Sequence, residues 1–127
     1  MLTDQELFRY SRQLLLENFD ISGQEKLKKA RVLVVGLGGL GSIVSMYLAS
    51  AGVGWLVIAD GDEVDITNLH RQVLYKESDV GLDKTKAARN NLLDLNSEIE
   101  VFSINQYLNK ENLPNALKKI DIVVDAT

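Results

Sequence analysis

The segment Val32–Gly41, with the sequence VLVVGLGGLG, decides the fold. Its first four residues are apolar and mostly β-branched without alternation, which is typical of a parallel strand buried on both faces. The next six match the pattern G-x-G-x-x-G, in which glycines let the backbone turn tightly and approach a phosphate. The free N–H groups at the start of the following helix also favour an anion. The segment therefore predicts a strand that ends in a phosphate-binding turn.

A helix and a second strand complete a βαβ unit with this first strand. Gly52 is suited to the left-handed conformation that ends a helix, and Trp55–Ala59 has the composition of a second buried strand, closed by Asp60. The helix is predicted over 40–51. Its apolar residues at helical spacing are Leu40, Ile43, Val44, Tyr47 and Leu48.

The residues before the first strand are predicted to be helical. Thr3 and Glu6 have the spacing of a capping box, which predicts a helix over about 4–17. The same spacing recurs at 22–25 and predicts a second short helix, with a turn at Gly23 between the two.

A long polar stretch over 61–83 follows the second strand, and a connection of this length is usually functional or disordered. Asp83 can cap a helix that runs to about Leu95. The face of that helix is predicted to hold Ala87, Ala88, Leu92 and Leu95.

Strand and helix continue to alternate up to the last residue. Strands are predicted at Val101–Ile104 and Ile120–Asp125, separated by a weaker helix over about 110–119 with Pro114 in its first turn. The alternation predicts an α/β, Rossmann-like, doubly wound and mainly parallel sheet. We expect a helical segment at 1–30 and the first part of the nucleotide-binding domain at 31–127. Because such a sheet usually continues through a second half, we expect the sequence to be a fragment of a longer protein.

Composition narrows the class of protein. With 46% hydrophobic residues, 25% charged residues and a net charge of −4, the chain can bury a core and has no electrostatic reason to bind nucleic acid or an anionic membrane. It has no cysteine, which excludes disulfides, thiolate metal sites and a cysteine nucleophile within these residues. The amino terminus is polar and acidic, and no apolar stretch reaches bilayer-spanning length, so we expect a cytoplasmic protein.

Asp60 lies about twenty residues beyond the last glycine of the motif, where a carboxylate can accept hydrogen bonds from ribose hydroxyls. A solvated aspartate at a strand end is the plainer interpretation, as are glycines that only permit close helix packing. These features alone equally fit a nicotinamide-dependent dehydrogenase. The cations Arg71 and Lys84 favour another chemistry, because attack of a carboxylate on the α-phosphate of ATP requires negative charge to be neutralised on both reactants.

Seven segments together resemble the MoeB/ThiF adenylyltransferases of molybdopterin and thiamine biosynthesis, which are related to ubiquitin-activating enzymes. The resemblance extends in order over the whole chain. The segments are Arg9-Tyr10-Ser11-Arg12-Gln13, Gly36-Leu37-Gly38-Gly39-Leu40-Gly41, Ala49-Ser50-Ala51-Gly52-Val53-Gly54, Asp60-Gly61-Asp62, Asn68-Leu69-His70-Arg71-Gln72, Gly81-Leu82-Asp83-Lys84 and Asp125-Ala126-Thr127.

The resemblance implies ATP-dependent adenylation of the C-terminal glycine of a ubiquitin-like sulfur-carrier protein, with Mg²⁺ and in a homodimer. The catalytic residues it implies are Arg12, lent to the neighbouring protomer's phosphates, Arg71 and Lys84. The implied nucleotide-binding residues are Gly36, Gly38, Gly39, Gly41, Asp60, Asp62, Thr67, Asn68, Leu69, His70, Arg71 and Lys84.

Several implied roles have alternatives. Arg9 and Arg12 would by composition be a solvated helix face. Asp62 either helps to position Mg²⁺ or braces the polar stretch. His70 stands where the family usually has glutamine, so a hydrogen bond is the expected role rather than catalysis.

Other parts of the family pattern fall outside the sequence. The family's aspartate implicated in Mg²⁺ binding and its zinc-binding cysteine pairs would follow Thr127, so no metal ligand is assigned here and zinc is expected only in a longer protein. The rival functions are an NAD(P)-dependent oxidoreductase and a truncated, non-catalytic fragment that binds nucleotide or dimerises. The sequence does not distinguish the carrier protein or the pathway.

Overall fold

Four strands, all parallel, form the single sheet of the computed structural model, which describes residues 1–127. Their order across the sheet is β3-β2-β1-β4. The strands are β1 (Arg31–Val35), β2 (Trp55–Ala59), β3 (Glu100–Ile104) and β4 (Ile122–Asp125). The predicted Rossmann-like α/β fold with a parallel sheet is therefore confirmed, because this order is the one in which such a sheet begins.

Six helices and two short 3₁₀ turns accompany the strands, and three of the helices precede β1. The 3₁₀ turns, Ile66–Asn68 and Glu77–Asp79, lie in the long stretch after β2. The helices are α1 (Asp4–Arg9), α2 (Ser11–Leu14), α3 (Asp20–Lys29), α4 (Gly41–Ala51), α5 (Lys84–Leu95) and α6 (Leu113–Ala116). None of the six helices has the length and hydrophobicity of a transmembrane segment.

The two faces of the sheet are covered unequally. The residues Val32 and Val34 of β1 belong to the larger cluster of 15 buried residues, which includes Ala49 of α4 and Ala88 of α5. The alternate residue Leu33 lies in a cluster of only three. In the edge strand β4, Ile122 is 56% exposed and Val123 is 44% exposed. The core is therefore concentrated on the face that α4 and α5 cover.

The N-terminal helices differ from the prediction. The capping box of Thr3 and Glu6 is present, but α1 ends at Arg9 and the helical region ends at Leu14, not at Glu17. The turn predicted at Gly23 is wrong, since this residue lies inside α3, which begins at Asp20. A β-carbon at Gly23 would lie 2.5 Å from the ring of Phe19, so the glycine makes room for an aromatic ring.

The N-terminal helices complete the carboxyl end of α4. The fully buried Gln24 donates a hydrogen bond to the Ala51 carbonyl (2.9 Å), and Gln13 donates to the same oxygen (3.0 Å). Gly52 ends the helix with φ +99°, as predicted. These side chains satisfy carbonyls that a helix end leaves free. The proposed division of the chain at residue 30 remains a prediction.

Helix α4 presents a different face to the sheet than its apolar spacing suggests. Its buried residues are the small ones Gly41, Ser42, Ser45 and Ala49. The larger Leu40, Ile43 and Tyr47 are exposed, at 72%, 40% and 74%. Small side chains let the helix approach the sheet closely, and this outweighs the hydrophobicity of the opposite face.

The remaining predicted elements are present, and of these α6 and β4 are shorter than predicted. Asp83 stands at the cap position of α5, but its side chain caps no backbone N–H. Leu95 is 42% exposed, so it does not share the buried face of Ala87 and Ala88. The predicted helix over 110–119 is reduced to the four residues of α6.

Candidate functional site

The strand register brings the ends of three strands to one place. Val35 of β1 is aligned with Ala59 of β2 on one side and with Asp125 of β4 on the other. Because the strands are parallel, Gly36 and Asp60 leave the sheet side by side at its carboxyl edge.

Two glycines of the motif are required by packing. Gly36 has φ +95°, and a β-carbon on it would lie 2.8 Å from the Ala126 carbonyl oxygen. A β-carbon on Gly41 would overlap the carbonyl oxygen of Gly36. These glycines let the turn fold back on itself beside the end of β4.

The middle glycines leave the backbone open. A β-carbon on Gly38 would meet only Gln72 Nε2, at 3.8 Å. The N–H groups of Gly38, Gly39, Leu40 and Gly41 donate to no protein acceptor. We call residues 36–41 the glycine loop. Its free donors stand at the amino end of the eleven-residue α4, an arrangement that can bind an anion.

Asp60 is buried and holds the glycine loop directly. Its Oδ2 accepts a hydrogen bond from the Leu37 N–H (2.8 Å), and its Oδ1 accepts one from the Asp62 N–H (2.8 Å). At 8% exposure it is not the solvated strand-end aspartate of the plainer interpretation. Each carboxylate oxygen has a second lone pair, so acceptance from ribose hydroxyls is compatible with these bonds.

A cleft of about 310 Å³ opens beside these groups. The residues that line it include Gly36, Gly38, Asp60, Lys84 and Thr127. Gln106, Tyr107 and Leu108, which follow β3, complete its wall.

Lys84 is 4% exposed and reaches into this cleft. Its Nζ lies 3.6 Å from Asp62 Oδ2, and its backbone N–H donates to the Asp62 carbonyl (2.9 Å). The side chain of Asp62 remains 50% exposed. One weak ion pair therefore leaves the buried ammonium able to approach an anion.

Arg71 lies against Gly39 of the glycine loop, although it is not among the residues that line the cleft. Its Nη1 is 3.3 Å from the point that a β-carbon on Gly39 would occupy, and its Nη2 donates to Asn68 Oδ1 (2.9 Å). The folded segment 61–83 thus carries the guanidinium back to the glycine loop, while Asn68 orients it.

Three further sequence candidates lie apart from the cleft. Arg12 is exposed on α2, and its side chain makes no hydrogen bond or ion pair. His70 is exposed, also without a hydrogen bond. Leu69 packs against the larger core cluster. None of the three lines the cleft, and their roles in nucleotide binding remain predictions.

Thr67 supports the chain locally. Its backbone N–H and its hydroxyl both donate to Asp65 Oδ1, at 2.8 and 2.7 Å. These hydrogen bonds hold the pKa of Asp65 below its usual value. Thr67 therefore stabilises the 3₁₀ turn Ile66–Asn68, and its contact with nucleotide also remains a prediction.

Sequence reasoning assigned no role to two buried residues beside the glycine loop, Tyr75 and Gln72. Tyr75 is 5% exposed and donates its hydroxyl to the Leu37 carbonyl (2.8 Å). Burial raises the pKa of Tyr75, and the nearby carboxylate of Asp60 raises it further, so the hydroxyl keeps its proton. Gln72 is 2% exposed, and its Oε1 has no hydrogen-bond partner. Their signal was a run of large side chains, Gln72 to Tyr75, within an otherwise polar stretch.

The chain contains no cluster of three His, Cys, Asp or Glu side chains that could hold a metal ion. Mg²⁺ bound to ATP requires only one or two protein carboxylates, because phosphates and water supply the other ligands. The half-exposed Asp62 in the cleft wall fits one such position.

The sheet order, the glycine loop after the central β1 and the carboxylate at the end of β2 define a Rossmann-type α/β protein. The chain belongs to the ThiF family, whose model matches residues 10–127.

Named relatives are adenylyltransferases. The chain is 54% identical over 126 residues to an adenylyltransferase and sulfurtransferase MOCS3 of Culex quinquefasciatus, covering 99% of this chain and 29% of that protein. It is 47% identical over 126 residues to the molybdopterin-synthase adenylyltransferase of Escherichia coli, covering 99% of this chain and 51% of that protein. The chain thus spans about half or less of the length of these relatives.

A solved structure has the same fold. The crystal structure of E. coli MccB with ATP superposes with a TM-score of 0.82 at 38% identity, covering 94% of this chain and 36% of that one.

Proposed function

We propose that this protein uses ATP to adenylate the C-terminal glycine carboxylate of a ubiquitin-like sulfur carrier. One observation carries the proposal: two cations, Arg71 against Gly39 and Lys84 in the cleft with Gly36 and Gly38, lie close to a glycine loop in which the N–H groups of residues 38–41 have no protein acceptor. The names of the relatives support this chemistry, since they are adenylyltransferases and one is specified for molybdopterin synthase. The solved relative with ATP supports the choice of nucleotide.

In the proposed reaction, the glycine loop binds phosphate oxygens through the free amides of Gly38 and Gly39, while Asp60 accepts from the ribose hydroxyls. Arg71 and Lys84 neutralise charge on the phosphates and on the incoming carboxylate. A carboxylate oxygen forms a bond to the α-phosphorus as the bond to the leaving pyrophosphate breaks. The carboxylate is already ionised at neutral pH, so no enzyme base is needed.

Mg²⁺ belongs to the same proposal. Bound to the phosphates, it would neutralise charge on the leaving pyrophosphate, and Asp62 is the residue of this chain that would hold it. The cytoplasmic location expected from the sequence is also part of the proposal.

A homodimer and a role for Arg12 are part of the proposal. Arg12 is exposed and unpaired, and the neighbouring Leu15 and Leu16 are 83% and 60% exposed. Apolar side chains this exposed favour burial against another surface. In a second copy, Arg12 would then reach the phosphates across the interface. Mixing an Arg12→Ala protein with an Arg71→Ala protein tests this, because only a dimer with shared sites regains activity.

Pyrophosphate exchange tests the whole proposal. The full-length gene product is assayed for incorporation of labelled pyrophosphate into ATP across a panel of ubiquitin-like carriers, for molybdopterin and thiamine synthesis. Exchange that depends on one carrier with an intact C-terminal glycine is the expected result. If none of the carriers of either pathway supports exchange, the proposal is contradicted.

A dinucleotide-dependent oxidoreductase is the second candidate, because Asp60 at the end of β2 is equally suited to the ribose of NAD. A ligand that binds only the native state raises the melting temperature, so ATP and NAD are compared directly. Preferential stabilisation by ATP supports adenylation, and preferential stabilisation by NAD supports the oxidoreductase.

A further inference from the structure

Leu37 is the point at which the glycine loop is fixed to the rest of the protein. Its side chain is fully buried. Its N–H donates to Asp60 Oδ2, and its carbonyl accepts from the Tyr75 hydroxyl. No backbone donor bonds to that carbonyl, so Tyr75 is its hydrogen-bond partner.

The carbonyl of Leu37 and the N–H of Gly38 belong to one peptide unit. Peptide units are planar and this chain has no cis bond, so the two groups point in opposite directions. Fixing the carbonyl toward buried Tyr75 therefore fixes the Gly38 N–H away from the core. Gly38 lines the cleft, and its N–H has no protein acceptor.

Tyr75 is itself held in place from two sides. Its N–H donates to the Gln72 carbonyl (3.2 Å), which joins it to the turn that carries Arg71. Asn91 of α5 donates to the Leu74 carbonyl (2.8 Å) and to Asp79 Oδ2 (2.9 Å). The hydroxyl thus connects the segment that holds the guanidinium to the glycine loop.

We infer that Tyr75 is a positioning residue for phosphate binding: its hydroxyl orients the Leu37–Gly38 peptide so that the Gly38 N–H faces the nucleotide. This inference rests on the proposed function for the identity of the nucleotide. It assigns Tyr75 no contact with substrate, since the side chain is buried beneath the loop.

The test is Tyr75→Phe in the full-length gene product, which removes one hydroxyl and keeps the ring. ATP binding is measured by titration calorimetry, and the weaker binding of adenosine by NMR titration. Losing the hydrogen bond leaves the peptide free to rotate, so we expect the Kd for ATP to rise about 10-fold. Adenosine has no phosphate, and its Kd should change by less than about 2-fold.

The matched control is Tyr47→Phe, because Tyr47 is 74% exposed on α4 and its hydroxyl makes no hydrogen bond. It should leave both constants unchanged. Equal weakening of ATP and adenosine by Tyr75→Phe would overturn the inference, and so would a lower melting temperature with unchanged affinities, since either result indicates a purely structural role.

The design separates this inference from the proposed function. If the wild-type protein binds NAD and not ATP, adenylation fails, but the pyrophosphate of NAD approaches the same amides. If Tyr75→Phe then weakened the binding of NAD more than that of adenosine, Tyr75 would still be supported as a positioning residue. Equal weakening of both would reject the inference.

Discussion

Arg71 lies against Gly39, with its Nη1 3.3 Å from the point where a β-carbon of residue 39 would stand. A β-carbon there would be in tighter contact than most side chains accept, so glycine lets the guanidinium lie at this place without a shift. The cation therefore lies beside a residue whose N–H has no protein acceptor, although 32 positions separate residues 39 and 71 in the chain. Three predictions concern this geometry and the contacts around the glycine loop, and a fourth concerns an ion pair of the N-terminal helices.

Replacement of Arg71 should remove activity without unfolding the protein. Arg71 is exposed and its only side-chain hydrogen bond is to Asn68, so Arg71→Ala should shift the melting temperature by less than about 2 °C. Loss of a preorganised cation should lower carrier-dependent pyrophosphate exchange by about 100-fold or more. Lys76→Ala, an exposed cation of the same segment, is the control and should keep full exchange. Unchanged exchange in Arg71→Ala would remove Arg71 from its proposed role.

Alanine substitutions at two glycines of the loop should have different effects, one on stability and the other on ATP binding. Gly41→Ala places a β-carbon onto the Gly36 carbonyl and should destabilise the fold by about 3 kcal/mol or more, measured by urea denaturation. Gly38→Ala meets nothing closer than 3.8 Å, so it should unfold as the wild type does. Because Gly38 lines the cleft, the added methyl group should weaken ATP binding. Equal stabilities for the two variants would contradict this assignment.

Asp60→Asn should lower stability even without nucleotide. The carboxylate accepts from two backbone N–H groups, and an amide can accept from only one of them while its NH₂ faces the other. The unsatisfied donor should cost about 1 to 3 kcal/mol in free energy of unfolding. Asp94→Asn, at an exposed position on α5 without a hydrogen bond, should change nothing. A fully stable Asp60→Asn would mean that the aspartate serves ligand binding alone.

The ion pair of Glu6 and Lys28, 2.7 Å apart, should make stability depend on pH. Burial raises the pKa of Glu6, but hydrogen bonds from Lys28 and Thr3 outweigh it and hold the pKa below 4.5. The ionised carboxylate therefore stabilises the fold above its unfolded-state pKa, and this contribution is lost as the pH falls through the lower folded-state value.

Glu6→Gln tests the sign of this dependence. Thermal melting from pH 8 downward should show a constant wild-type advantage to about pH 5, which then shrinks below about pH 4. Glu17→Gln, at an exposed position without an ion pair, is the control and should follow the wild type throughout. An advantage that grows on acidification would contradict the pairing.

The sheet and its glycine turn were predictable because short apolar runs and glycine positions are local signals. Val32–Val35 and Trp55–Ala59 are both strands in the structure, to within one residue. The interruption between α1 and α2 at Tyr10 was not predictable. Its hydroxyl accepts a hydrogen bond from Asn96, which is 86 residues away, so tertiary contacts decide that boundary.

The side chains of the candidate site were predictable by residue type, but their arrangement was not. A cation in a polar loop carries no local sign of where the loop folds, and Arg71 reaches Gly39 because the ends of the segment are tied together. The Val64 N–H donates to the Leu82 carbonyl (2.8 Å), and the Gly81 N–H donates to the Val64 carbonyl (3.0 Å). Tyr75 was missed because its partner is a backbone carbonyl, which has no signature in the sequence.

The edge strand β4 has a practical consequence for anyone who purifies these 127 residues alone. Its outer side offers unpaired backbone groups, and Ile122 and Val123 add exposed apolar surface beside them. Such an edge recruits further strands and promotes precipitation at high concentration. Dilute, cold storage suits this polypeptide, and multimers that form only at high concentration are expected from strand addition at β4, separately from the dimer proposed through α2.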